Sequence, residues 1–152
     1  MDQQQIAAAL QTEYFHLQKT IEDFDGKAMT IKAWSITFSL TVIVGAFASR
    51  SAPVMLIAST SSLFFWFLET MWKVFQLGYY ARAEQIESHF RGKIELTSPN
   101  QIGAAWMEKW NNTSWSDVRR LALWPHVALP HAAVVVAGVS IFLMVKLGAL
   151  SL

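Results

Sequence analysis

Hydrophobic residues in the first part of the chain recur at alternating intervals of four and three positions. This spacing predicts a heptad seam along one face of an α-helix. The seam consists of Leu10, Tyr14, Leu17, Ile21, Phe24, Ala28 and Ile31. Gly26 is a weak helix former, so it predicts either a kink or a restart capped by Asp25. Because the seam keeps its phase beyond this point, the pattern favours one continuous helix.

Three further segments are apolar enough to cross a membrane: residues 33–49, 53–72 and 125–146. Each is close to the ~20 residues that span ~30 Å of hydrocarbon. The short sequence RSAP joins the first two segments, which predicts an antiparallel helical hairpin. A second hydrophobic stripe follows the second span and predicts that both helices extend beyond the membrane and pair there. Its members are Phe75, Tyr79, Ala83, Ile86 and Phe90.

These patterns predict an all-α integral membrane protein. Its main feature is a long helical hairpin whose two spans extend into cytoplasmic coiled-coil-like helices, followed by short interfacial helices and a third C-terminal span. The predicted regions are an N-terminal cytoplasmic helix (1–32), two spans (33–49 and 53–72), a cytoplasmic helical extension (73–97), interfacial amphipathic helices (98–124) and the third span (125–146).

The region before the third span contains two helix-start signals. Ser98 followed by Pro99 predicts an N-cap and a first helical residue, and Ser114 with Asp117 predicts a capping box. Four tryptophans indicate either helices at the cytoplasmic membrane interface, where indole rings are favoured, or a loop packed beneath the bundle. They are Trp106, Trp110, Trp115 and Trp124.

Composition supports a membrane protein over a soluble domain. Hydrophobic residues make up 53% of the chain and charged residues only 15%, whereas a soluble domain has about 25% charged residues. The net charge of +1 gives no reason to expect a nucleic-acid partner. The absence of cysteine excludes disulfides and thiolate chemistry.

Lysine and arginine are concentrated on one side of the predicted spans. The connection between the first two spans has only Arg50, and the C-terminal tail has only Lys146. Cytoplasmic segments are enriched in these residues, so the N-terminus and the long connection are predicted to be cytoplasmic and the C-terminus external. The residues on the cytoplasmic side are Lys19, Lys27, Lys32, Arg82, Arg91, Lys93, Lys109, Arg119 and Arg120.

A polar stripe runs along the second span and through the otherwise apolar stretch FFWFLETMWKVFQ. Its candidate pore-lining residues are Ser59, Ser62, Trp66, Glu69, Lys73, Gln76 and Tyr80, spaced alternately by three and four positions. Polar groups in hydrocarbon need partners. In an oligomer the stripe would line a pore, with Glu69 and Lys73 as charged rings. Alternatively, Glu69 and Lys73 form a salt bridge at the membrane boundary, and the hydroxyls bond neighbouring helices.

Three spans are too few to enclose a conduit alone, so a homo-oligomer is predicted. The candidate subunit-interface residues are Leu10, Tyr14, Leu17, Ile21 and Phe24 of the seam, with Ala133 and Ala137 of the third span. Small residues permit close helix contact, either between subunits or within one chain. Pro125 and Pro130 are expected to kink the third span or delay its start.

No enzyme signature, cofactor motif or metal-ligand spacing is present in the sequence. His126 and His131 are five residues apart, which places them about 140° apart around a helix. They are therefore predicted to be hydrogen-bonding histidines at the membrane interface and poor joint metal ligands. The expected partners are membrane lipids, further copies of the chain, and a cytoplasmic protein or trigger.

Two closely spaced spans that continue into cytoplasmic helices, with WKVFQLGYYARAEQIESHF leaving the second span, resemble SLATT-type small bacterial membrane proteins. The resemblance covers roughly residues 10–95 and lies in this layout; the third span is additional to the family's two-span pattern. It implies a pore-forming effector in the bacterial inner membrane, in a nucleotide-triggered antiviral system. A non-conducting scaffold that recruits a cytoplasmic partner through a coiled-coil stalk is the alternative.

Overall fold

The computed structural model describes residues 2–151, and these residues form an all-helical fold. Three of the helices are long and apolar enough to cross a membrane. The three correspond to the three spans expected from the sequence. The helices are α1 (Gln3–Ala48), α2 (Val54–Phe90), α3 (Ile102–Asn111), α4 (Trp115–Ala122) and α5 (Pro125–Lys146).

Helix α1 is continuous through Gly26, so the prediction of one unbroken helix is confirmed. A Cβ at Gly26 would meet no atom within 4 Å. The glycine therefore lies on an open helix face, where its weak propensity costs only about 1 kcal/mol relative to alanine. Packing of the seam on the opposite face compensates for this small cost.

Of the two helix starts predicted before the third span, one is wrong and one is confirmed. Helix α3 begins at Ile102, and Ser98 with Pro99 lies in the irregular segment before it. The predicted capping box is present at α4: the backbone N–H of Ser114 donates to Asp117 Oδ2 (2.9 Å), and the backbone N–H of Asp117 donates to Ser114 Oγ (3.3 Å).

Helix α5 begins at Pro125 and continues through Pro130. Proline at the first helical position loses no intrahelical hydrogen bond, because that N–H would have no partner there. Pro130 removes one bond from the helix interior. The helix is therefore neither delayed nor ended by its prolines.

The described residues divide into two compact units, with α1, α2 and α4 contributing to both. The first unit comprises residues 2–27 and 72–117, and the second comprises residues 28–71 and 118–151. The core of the first unit joins the seam of α1 to the stripe of α2. Its fully packed members are Leu10, Leu17, Ile21, Ala83 and Ile86.

Close helix packing in the second unit depends on small residues. Gly138 of α5 is buried, and a Cβ at this position would overlap Ser59 Oγ and lie 3.1 Å from the backbone oxygen of Met55. Ala46 and Ala58 are also buried. Small side chains of this kind let helix backbones approach each other closely.

In the first unit, Gly78 of α2 accommodates the indole ring of Trp106 from α3. A Cβ at Gly78 would overlap the ring atoms of Trp106. We expect Gly78→Ala to displace α3 and to lower the free energy of unfolding by about 1–3 kcal/mol. Gly103→Ala is the matched control, because Gly103 in α3 has no atom within 4 Å of a built Cβ. Tryptophan fluorescence and amide exchange in α3 would measure the difference, and equal behaviour of both variants would contradict this account.

Candidate functional site

Glu69 on α2 is a fully buried carboxylate in the second unit. Its Oε1 lies 2.7 Å from Lys32 Nζ on α1, and its Oε2 lies 3.0 Å from His131 Nε2 on α5. The side chains of Glu69 and His131 are 0% exposed, and that of Lys32 is 15% exposed. Three apolar helices thus each contribute one ionisable group. We call this group of residues the Lys32–Glu69–His131 cluster.

Serine hydroxyls add hydrogen bonds around the cluster. Ser35 Oγ on α1 lies 3.0 Å from His131 Nδ1. On α2, Ser62 Oγ donates to the backbone oxygen of His131 (3.1 Å), and Ser59 Oγ donates to that of Val135 (3.3 Å). Ser59 and Ser62 therefore hold α2 against α5. Hydrogen bonding to a neighbouring helix is the alternative to pore lining that the sequence predicted for these hydroxyls.

Trp66 closes one side of the cluster. Its indole N–H donates to the backbone oxygen of Ala122 (2.9 Å), and its ring stacks on the imidazole of His131 at 6.5 Å between centroids. The polar stripe within the second unit is thus partnered by α1, α4 and α5 of the same chain. Lining of a pore by this part of the stripe stays a prediction.

The other part of the stripe lies in the first unit and has a different set of partners. Lys73 Nζ forms an ion pair with Asp25 of α1 and donates to Gln76 Oε1 (2.9 Å). Gln76 Nε2 donates to the backbone oxygen of Ile21 (2.9 Å) and to Asp25 Oδ1 (3.0 Å). Tyr80 is 45% exposed. Lysine, glutamine and aspartate therefore join α1 to α2 in this unit.

The predicted salt bridge between Glu69 and Lys73 is wrong. Glu69 is paired with Lys32 and His131, whereas Lys73 is paired with Asp25. An i, i+4 pair contributes only about 0.3–0.5 kcal/mol. Partners on neighbouring helices bury Glu69 fully and leave Lys73 only 12% exposed, so these pairs compete less with water than an exposed pair on one helix.

A second buried ion pair joins Glu13 of α1 to Arg82 of α2 in the first unit. Arg82 Nε and Nη2 donate to the two carboxylate oxygens of Glu13 at 2.9 and 3.1 Å. The same oxygens accept the backbone N–H groups of Asn100 (2.8 Å) and Gln101 (3.1 Å), immediately before α3. Glu13 therefore caps α3 from another helix, in place of the predicted N-cap Ser98.

These hydrogen bonds lower the pKa of Glu13. Burial acts in the opposite direction and is the largest single influence. The hydrogen bond from Arg82, the amide of Asn100, the Arg82 charge and the amide of Gln101 together outweigh it. Each of these groups favours the ionised carboxylate, so Glu13 stays charged although its side chain is buried.

The four tryptophans have different environments. Trp106 packs in the first unit, where its N–H donates to the backbone oxygen of Phe75 (3.0 Å) and its ring stacks on Trp110 at 5.5 Å. Trp115 is 75% exposed, and Trp124 is 38% exposed. Packing thus accounts for Trp106, and a position at the membrane interface stays a prediction for the exposed rings.

The residues predicted to form subunit interfaces fall into two groups. Those of the seam lie in or against the core of the first unit, so the structure shows their use within one chain. Their members are Leu10, Tyr14, Leu17, Ile21 and Phe24. Ala133 and Ala137 of α5 are exposed. Contact between subunits through these two alanines therefore stays a prediction.

The two histidines of α5 have different environments. His126 is exposed and lies beside Trp124, at 5.4 Å between ring centroids. His131 is fully buried and makes hydrogen bonds in the cluster with Glu69, whereas a position at the membrane interface stays a prediction for both histidines. Within residues 2–151, no group of three or more His, Cys, Asp and Glu residues is placed to hold a metal ion.

Comparison with protein-family models, with curated proteins and with solved structures found no match to this chain. The resemblance to SLATT-type membrane proteins therefore stays a prediction. The features of this chain that bear on function are the geometry of the Lys32–Glu69–His131 cluster and the apolar helices that contain it.

Proposed function

We propose that this protein is an oligomeric membrane channel or pore-forming effector. The observation that carries the proposal is the Lys32–Glu69–His131 cluster. Three helices that are apolar enough to span a membrane bury an ion pair and an imidazole between them. Ionisable residues inside membrane segments are rare, and they characteristically mark ion pathways, proton relays and sensors.

Stability alone does not account for the cluster. Apolar residues of similar volume would pack α1, α2 and α5 at least as well. The free-energy cost of removing two charges from water offsets most of the attraction between them. A simple membrane anchor would need no such pair. A protein that switches between two packings does benefit, because charged groups can exchange protein partners for water when a conduit opens.

On this proposal, the conformation described here is the closed one. Ser59, Ser62 and Trp66 donate their hydrogen bonds to backbone oxygens of α4 and α5. Opening would separate α5 from the stripe and let water replace those oxygens. The stripe would then line the conduit together with the same residues of other subunits.

The proposal includes a location and an orientation. The protein would be a multi-pass protein of the bacterial inner membrane, with its N-terminus in the cytoplasm, as the lysine and arginine distribution favours. The helices of the first unit would lie in the cytoplasm and receive the trigger. Reporter fusions at the two termini test the orientation, since a cytoplasmic signal from both ends is incompatible with three complete spans.

Ion flux into liposomes tests the function. In Glu69→Gln the closed state loses the ion pair between Lys32 and Glu69 and becomes less stable. We therefore expect the ion flux to rise above that of the wild type. A loss of about 1.4 kcal/mol from the closed state raises the open-to-closed ratio about tenfold. Glu84→Gln is the control, because Glu84 is exposed on the same helix. The oligomer should survive both substitutions when its mass is measured in nanodiscs.

The alternative function is a non-conducting scaffold, and one observation favours it. The first unit contains an open groove of about 620 Å³ whose lining includes Ile6, Phe90, Lys93 and Leu96. A cytoplasmic protein could dock there. Liposomes that show no flux above empty vesicles for wild type and for Glu69→Gln, with the protein correctly inserted, would exclude the channel and leave the scaffold.

A further inference from the structure

The two ring nitrogens of His131 face groups of opposite hydrogen-bonding character. An ionised carboxylate only accepts hydrogen bonds, so His131 Nε2, 3.0 Å from Glu69 Oε2, must carry a hydrogen. In the neutral ring, Nδ1 is then an acceptor. The hydroxyl of Ser35, 3.0 Å away, therefore donates to Nδ1. The position that a second proton would occupy is thus defined.

We propose that Nδ1 of His131 is a proton-binding site inside the second unit. A proton taken from water forms an N–H bond at Nδ1, and the imidazole becomes an imidazolium. Ser35 then changes from donor to acceptor, since Nδ1–H now points at its oxygen. The hydrogen bond to Glu69 becomes a bond between two ions, which is stronger than a bond from a neutral donor.

Ser39 provides the second observation. Its hydroxyl is fully buried and has no hydrogen-bond partner among residues 2–151. It lies one turn from Ser35 on α1, at a spacing of about 5–6 Å between Cβ atoms. Buried hydroxyls are normally satisfied by protein or by water. Once Ser35 accepts a hydrogen bond from His131, the hydroxyl hydrogen of Ser35 needs another acceptor. Ser39 Oγ is one turn away, within reach of one bridging water.

The charged groups joined to His131 are Glu69 on α2 and, through its carboxylate, Lys32 on α1. Arg119 and Arg120 of α4 are exposed, as is His126 on α5 itself. The cluster is neutral with a neutral imidazole and carries one positive charge after protonation. This inference does not require that the protein conducts ions.

Nitrogen NMR of the histidine rings tests the proposal directly on the protein in nanodiscs. We expect the Nδ1 signal of His131 to change from an unprotonated to a protonated nitrogen between about pH 8 and 5. His131→Gln identifies the signal among the four histidines. His126→Gln is the matched control, and it should leave the titration of His131 unchanged.

Since His131→Gln could fail to assemble, the wild-type titration decides independently. A His131 Nδ1 signal that does not change over this pH range would refute the proton site, whether or not the protein conducts.

Discussion

Replacing Glu13 by alanine should destabilise the first unit by about 3–5 kcal/mol, the range measured when one partner of a buried ion pair is removed. The guanidinium of Arg82 is 3% exposed and would lose its two-point contact with the carboxylate. The backbone amides of Asn100 and Gln101 would lose their acceptor. Chemical unfolding, followed by circular dichroism, measures this loss.

A matched control is available on the same helix. Glu22 is exposed, so Glu22→Ala removes an equal charge from α1 and should change stability by less than about 0.5 kcal/mol. Hydrogen exchange should reveal faster exchange at Asn100 and Gln101 in Glu13→Ala alone. Equal stability of the two variants would show that the Glu13–Arg82 pair is not a structural element of the folded protein.

The lowered pKa of Glu13 gives this pair a pH dependence. A carboxyl group whose pKa is lower in the folded protein stabilises it fully above the unfolded value, about 4.3 for glutamate. That contribution is lost as the pH falls through the lower folded value. Glu13→Gln cannot titrate, so its stability should fall less steeply than that of the wild type on acidification below about pH 4.

The sequence predicted the helices well because their signals are local. Hydrophobic periodicity defined the face of α1 that packs in the first unit, and apolar length located α5 at residues 125–146. The capping box at Ser114 and Asp117 depends on residues three positions apart, and it is present. All the residues that such a signal requires lie within one short segment of the chain.

The predicted N-cap at Ser98 failed for the opposite reason. The group that satisfies the start of α3 is Glu13, which is 87 residues distant from Asn100 along the chain. Asn100 itself has φ = 60°, a left-handed conformation that asparagine tolerates better than most residues. A local rule could not anticipate an acceptor from another helix.

The sequence does not predict the Lys32–Glu69–His131 cluster, for the same reason. Helical spacing within α2 suggests Lys73 as one possible partner of Glu69, whereas Lys32 and His131 are distant along the chain. A usable signal was present nevertheless. The three apolar segments contain or adjoin Lys32, Glu69 and His131, and buried ionisable groups must be paired. Pairing them between helices, before considering pairs within one helix, would have indicated the cluster.

Removing the charge of Lys32 should have the second large effect, and it should depend on what stands at position 69. Lys32→Met leaves a fully buried carboxylate beside a methionine. We expect a loss of about 3–5 kcal/mol, since the carboxylate loses its lysine partner and retains its desolvation penalty. Glu69→Gln should cause a smaller loss, because Lys32 is 15% exposed and can turn toward water while the amide oxygen still accepts from His131.

The double variant Lys32→Met with Glu69→Gln distinguishes a structural pair from two independent residues. It contains no buried charge and keeps a hydrogen-bond acceptor for His131, so its stability should return to within about 1–2 kcal/mol of the wild type. Independent residues would give the sum of the two single losses. Reversible unfolding in detergent micelles measures all four proteins, and Lys19→Met, at an exposed position of α1, is the control. A double variant as unstable as that sum would mean that Lys32 and Glu69 are close in space but not coupled.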